Sequence, residues 1–246
     1  MIAAPATLFA QDGPVIPDFG RGDECIRENG NFCLNWFLDN FTDRFWPRVV
    51  EHIQLTVIAL VIGFVIAFVA ALIAYRYTRF EVPFANASAL FYTIPSIALF
   101  QILVPITGIN RLTVEIALVS YTLLILFRNT LTGLKEVPDE AKEAAEGMGL
   151  TRRQSLLRVE LPLAVPAIIA GVRVATVTTI SLATIAAFIT PLGLGAPIFS
   201  AIQTGANTEF VAASLLAIAL ALIADVLIVF VQRFLTPWAR ARSIAR

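Results

Sequence analysis

Glu143-Ala144-Ala145-Glu146-Gly147-Met148-Gly149-Leu150, followed by Val159-Glu160-Leu161-Pro162, is a polar, helix-forming stretch set between long apolar segments. Pro138 opens a helix at a first-turn position, and Asp139 and Glu140 behind it suit the positive end of a helix dipole. Gly147 and Gly149 end it. Thr151 with Gln154 forms a capping-box signature for a second helix running towards Pro162. On the first helix, Ala141, Ala144, Ala145 and Met148 share a narrow face of small residues, while Lys142, Glu143 and Glu146 point elsewhere. Such a face admits close approach of another surface. An ordinary solvated loop has the same spacing.

The surroundings are those of a membrane protein. Hydrophobic residues make up 58% of the 246 and charged residues only 15%, with a mean hydropathy of +0.79, beyond ordinary soluble domains. Five segments can each cross a hydrocarbon layer of ~30 Å at about 20 residues: 53–74, 87–107, 112–130, 163–188 and 210–234. Backbone in lipid must satisfy itself, so all five are predicted to be helices, and Gly63, Pro95, Pro105, Pro166 and Gly171 fit kinks and close contacts within them. The expected fold is an all-α, polytopic bundle of five core spans with cytoplasmic coupling helices. Residues 1–50 form an extracytoplasmic tail, 51–236 the transmembrane domain, about 135–161 its coupling loop, and 237–246 a basic cytoplasmic tail.

Basic residues give the orientation. Arg76 and Arg79, then Lys135, Lys142, Arg152, Arg153 and Arg158, then Arg233, Arg240, Arg242 and Arg246 follow alternate span ends, which places those flanks and the C-terminus in the cytoplasm. Asp12, Asp18, Asp23, Glu24, Glu28, Asp39 and Asp43 outnumber the basic residues near them, so the N-terminus is expected outside. A formal net charge of +0 carries no signal for nucleic acid. Ile2–Ala10 is apolar but too short to span and lacks a basic flank, so it reads as a weak signal-like stretch. Trp36, Phe37, Phe41, Phe45 and Trp46 read as an amphipathic segment at the outer interface. Cys25 and Cys33, the only cysteines, would close a short disulfide loop in an oxidising compartment, or remain two thiols in a flexible tail. With His52, expected at the interface, they make no recognisable metal set.

Polar residues inside the spans have two readings. Tyr92, Thr93, Ser96 and Gln101 flank Pro95, and Thr176, Thr179, Ser181 and Thr184 line up loosely along one side of the fourth span. Each hydroxyl can bond its own backbone; together they are the expected translocation path. Hydroxyls, amides and aromatic rings of this kind offer weak, dispersed contacts and no fixed charge. Arg173 and Asp225 lie at matching depths, ~16 and ~14 Å from the cytoplasmic ends of their spans at a helical rise of ~1.5 Å. They are expected to form a buried ion pair, or to bond carbonyls separately.

Glu143-Ala144-Ala145, Gly149, Val159 and Leu161-Pro162 match in every defining position the cytoplasmic loop that ABC importer permeases share, and the chain resembles that family over roughly residues 50 to 235. Tyr92-Thr93-Ile94-Pro95-Ser96-Ile97-Ala98-Leu99, Arg128-Asn129-Thr130 and Ala170-Gly171-Val172-Arg173 extend the resemblance towards the osmoprotectant branch, which imports glycine betaine, choline, carnitine and related compounds. Thr190-Pro191-Leu192-Gly193-Leu194-Gly195 departs from that branch's glycine-rich turn. The resemblance implies that Glu143, Ala144, Ala145, Gly147, Met148, Gly149 and Leu150 contact an ATPase subunit, that the chain dimerises with a second permease subunit, identical or different, and that an extracytoplasmic binding protein delivers solute. No phosphate-binding Gly-x-x-x-x-Gly-Lys-Ser/Thr loop is present, so ATP and Mg are expected on the partner, with no cofactor and no catalytic residue here. The other readings are a permease for another amino acid or small amine, a secondary transporter, and a scaffold without transport.

Overall fold

A computed structural model describes residues 24–237, and every regular element among them is helical. In chain order these are α1 (Glu24–Arg27), α2 (Leu34–Asn40), α3 (Trp46–Arg76), α4 (Thr78–Thr93), α5 (Ser96–Thr107), α6 (Arg111–Lys135), α7 (Asp139–Gly147), α8 (Arg152–Ser155), α9 (Leu161–Ala186), α10 (Gly195–Thr204) and α11 (Asn207–Leu235). Ile2–Ala10 and the basic tail from residue 238 lie outside the described residues. Two π-turns, Phe41–Phe45 and Leu156–Glu160, join α2 to α3 and α8 to α9. Leu34–Arg76 and Arg152–Ala186 are therefore continuous helices of 43 and 35 residues.

Four helical stretches are long and apolar enough to cross a bilayer, and α4 with α5 forms a fifth candidate bent by 100°. The span expected over 87–107 is thus not one continuous helix but part of this bent pair, which begins at Thr78. Pro95 lacks an N–H and bars Ile94 from the helical region; both residues are extended, at ψ 129° and 135°. The carbonyl of Ile94 freed by the break accepts a hydrogen bond from the Tyr121 hydroxyl on α6. With 16 and 12 residues, α4 and α5 reach only about 24 and 18 Å at ~1.5 Å per residue, so neither crosses alone.

Helix α3 shows why the bundle packs as it does. Val57, Val61, Val65, Val69 and Ile73 recur every four residues and face outward, while Ala59, Gly63, Ala67, Ala70, Ala71 and Ala74 are buried. Lipid gives no hydrophobic drive between helices, so small residues that let backbones approach decide the contact. A Cβ at Gly63 would stand 1.9 Å from Thr122 Oγ1 of α6, and one at Gly171 of α9 would stand 2.5 Å from Asn129 Cβ of α6. Helix α6 is thus the central post, between α3 on one side and α9 on the other. Helix α11 packs outside α9 and buries only Thr208, Ala212 and Ala213, all near its start.

At the end expected to lie outside, Cys25 and Cys33 form a disulfide with Cα atoms 5.8 Å apart. Its loop is pinned to the α10–α11 turn: Asn29 Nδ2 donates to Gly205 O (2.8 Å), Asn207 N to Asn29 Oδ1 (3.0 Å), and Thr208 Oγ1 to Gly30 O (2.9 Å). The aromatic segment expected at the outer interface, Trp36 to Trp46, is helical and packs on the bundle. It runs straight into α3, and Phe45, 1% exposed, packs with Ala212 and Ala213 of α11. His52 is likewise not interfacial but fully buried. Leu194 N donates to its Nδ1 at 3.2 Å, which leaves the proton on Nε2 to reach Ile180 O at 3.1 Å. Glu51 Oε2 accepts from Gly193 N at 2.7 Å, and Arg48 Nη1 donates to Pro191 O at 3.0 Å. The start of α3 therefore holds the divergent 190–195 turn.

Candidate functional site

The loop 136–160 is self-supporting. Pro138 sits just outside α7 as its N-cap, and Asp139 and Glu140 occupy the first turn. Beyond Gly147, Gly149 takes φ +75° and donates to Glu146 O (2.9 Å), while Leu150 N reaches back to Ala145 O (3.1 Å). This left-handed C-terminal turn reverses the chain, and Thr151 and Gln154 then exchange both capping-box bonds. The small-residue face divides: Ala145 is buried against the loop's own second arm and Ala141 is half-buried, whereas Ala144 and Met148 are exposed, Met148 at 70%. Glu143, Gly147 and Gly149 share that outer surface, and Leu150 is half-buried. Ala145 is thus a correction: it holds the loop together and is not free to meet a partner.

The second helix does not stop at Pro162. The π-turn 156–160 carries α8 into α9, and Pro162 falls in the first turn of α9, where its missing N–H is tolerated. Glu160 has no role that its place in the sequence motif makes evident. The structure shows it buried, with Oε2 accepting from Tyr75 Oη at 2.6 Å and Oε1 from Ser155 Oγ at 2.9 Å. A carboxylate in an otherwise apolar motif was the available signal.

The candidate path residues do not form one group. Tyr92, Thr93, Pro95 and Gln101 are exposed around the α4–α5 break, Ser96 is half-buried, and the Tyr92 ring meets Tyr121 edge-on at 6.1 Å. On α9, Thr176 and Thr179 are buried and donate to Val172 O and Ala175 O, both at 2.7 Å; half-buried Thr184 donates to Ile180 O at 3.2 Å. These hydroxyls satisfy their own helix. Ser181 is exposed and shares no face with Thr176, five residues away or about 140° around a helix of 3.6 residues per turn. The expected alignment of all four is corrected accordingly.

Ser181 instead shares the outer face of α9 with Arg173, Val174 and Val177. Arg173 clasps Asp225 of α11 through both guanidinium edges, Nη2 to Oδ2 at 2.7 Å and Nε to Oδ1. The pairing is present, but its side chains are 45% and 25% exposed, so it is not buried within this chain. Helix α11 lies on the rim of the bundle, and among the described residues nothing covers the pair from outside.

Spans of this kind, a broken helix pair and a self-supporting polar loop between two spans define a multi-pass membrane transport component. Residues 59–241 match the family described as "Binding-protein-dependent transport system inner membrane component", and the chain belongs to that family. It is a multi-pass inner-membrane subunit and not an enzyme. The ergothioneine transport permease/ergothioneine binding protein EgtU of Helicobacter pylori is 38% identical over 146 residues, 59% of this chain and 26% of that protein. The glycine betaine/carnitine/choline transport system permease protein OpuCB of Bacillus subtilis is 34% identical over 59% of this chain and 67% of its own. The osmoprotectant import permease protein OsmW of Salmonella typhimurium is 37% identical over 66% and 78%. The chain thus spans about a quarter of the first relative and two thirds or more of the others. An inward-facing structure of the MetNI methionine ABC transporter shares the fold with a TM-score of 0.67 at 21% identity, over 76% of this chain and 94% of its own.

Proposed function

We propose that this chain is the permease subunit of an ATP-driven importer for quaternary-ammonium osmoprotectants such as glycine betaine, choline and carnitine. The observation that carries the transport reading is the loop of α7, whose exposed Glu143, Ala144, Gly147, Met148 and Gly149 project from the end of a span on a backbone closed by the loop's own turn and capping-box hydrogen bonds. Such an exposed helix fits a groove on a separate ATPase subunit, which binds ATP and Mg. The substrate class rests on the relatives: their named solutes all carry a trimethylammonium group, ergothioneine included. The 38% identity to EgtU favours a second reading, in which an amino-acid betaine is the cargo.

The N-terminus lies outside and the C-terminus inside. The Cys25–Cys33 disulfide supports this, because such bonds persist in oxidising compartments. A binding protein outside delivers solute, and ATP-driven closure of the ATPase dimer opens the pathway outward until hydrolysis reverses it. The exposed polar groups Tyr92, Thr93, Gln101 and Ser181 are the path residues this reading retains. The Arg173–Asp225 pair cannot face hydrocarbon cheaply, so its face meets the second permease subunit. The test is uptake of labelled glycine betaine, choline, carnitine, proline and ergothioneine by liposomes holding the permease, ATPase and binding protein. ATP-dependent uptake of at least one trimethylammonium solute, in preference to proline, is expected. Uptake of proline alone would overturn the substrate class.

A further inference from the structure

Tyr75 is the penultimate residue of α3, and Glu160 closes the π-turn that leads from the α7–α8 loop into α9. Both carboxylate oxygens of Glu160 are engaged by hydroxyls, Oε2 by Tyr75 at 2.6 Å and Oε1 by Ser155 at 2.9 Å. Glu160 is 8% exposed, and among the described residues no cation lies within ion-pair distance of it. Tyr75, Leu156 and Leu161 border the apolar cluster of Leu134, Ala164 and Ile168. Burying a carboxylate is costly unless hydrogen bonds satisfy it, and a well-packed apolar side chain of the same size is often as stable or more so, so stability alone gives little reason for Glu160. Here those bonds join the loop that carries α7 to a helix far away in sequence, and α7 itself rests on α8 and the π-turn.

We propose that Tyr75 and Glu160 form a strut that makes α3 move together with the α7 loop, so that a displacement of the loop reaches two spans at once: α9 through the chain and α3 through this hydrogen bond. Both are positioning residues. The inference rests on the coupling reading above and concerns what happens after the ATPase has docked. Tyr75→Phe deletes the hydroxyl and keeps the ring. In the reconstituted complex it leaves co-purification of the ATPase and basal hydrolysis unchanged, while solute transported per ATP falls about tenfold, the scale set by losing one hydrogen bond to a charged acceptor. Glu160→Gln retains an acceptor for Tyr75 and stays within about twofold of the native ratio, whereas Glu160→Leu matches Tyr75→Phe, and the double variant Tyr75→Phe with Glu160→Leu is no worse than either alone. An unchanged transport-to-ATP ratio in Tyr75→Phe overturns the strut, and so do additive losses in the double variant. Loss of ATPase co-purification in these variants also overturns it, by showing a role in loop folding. If the native complex itself holds no ATPase, it is the coupling reading that fails.

Discussion

Gly149 shows what a single residue contributes to the loop. Its φ of +75° lies in the left-handed region and nothing stands within 4 Å of where a Cβ would be, so the demand for glycine is conformational and not steric. A β-branched residue there costs about 1 to 2 kcal/mol of local backbone strain. Gly149→Val is therefore expected to insert normally but to re-aim the exposed face of α7, which would be read as weaker co-purification of the ATPase and lower solute-stimulated hydrolysis. Full transport activity in that variant would remove the loop from the coupling role. The sequence already displayed this position, because glycine after a capped amphipathic helix has few other uses. It concealed His52. One histidine at the head of an apolar run looks interfacial until the 190–195 turn, far away in the chain, folds onto it and bonds its Nδ1.

Among the elements, the crossing of α3 and α6 is where sequence and packing agree most closely. A methyl group at Gly63 would collide with Thr122 Oγ1 at 1.9 Å, so Gly63→Ala is expected to destabilise the fold by about 1 to 3 kcal/mol, as overpacking does, read as a lower thermal midpoint and folded yield in detergent. Trimming Thr122→Ala in the same chain should recover part of that loss; no recovery would mean that the two positions are not in contact. The long apolar helices were legible because length and hydropathy suffice to find them. The break at Ile94–Pro95 was visible only as a proline, which spans commonly tolerate; the distant Tyr121 hydroxyl that satisfies the freed carbonyl has no signal in the local sequence. In the same way the joining of α8 to α9 depends on a π-turn, a local widening that has no periodic signature.

At the scale of the whole molecule, the chain is unfinished on one side. Arg173 and Asp225 were legible as a pair from their matching depth, but their exposure was not, since which side of α9 the last helix takes is decided by packing at its far end through Phe45, Ala212 and Ala213. Arg173→Leu alone is expected to reduce folded yield and transport more than Arg173→Leu with Asp225→Leu, because the single change strands a carboxylate at membrane depth. Strictly additive losses would show the two uncoupled. The central claim is that energy enters through the α7 loop from a separate ATPase. Its most direct test is solute accumulation in liposomes containing the permease and binding protein, with the ATPase and ATP each added or withheld. The account predicts accumulation only when both are present; accumulation by this chain without the ATPase, driven by an ion or solute gradient, would contradict it.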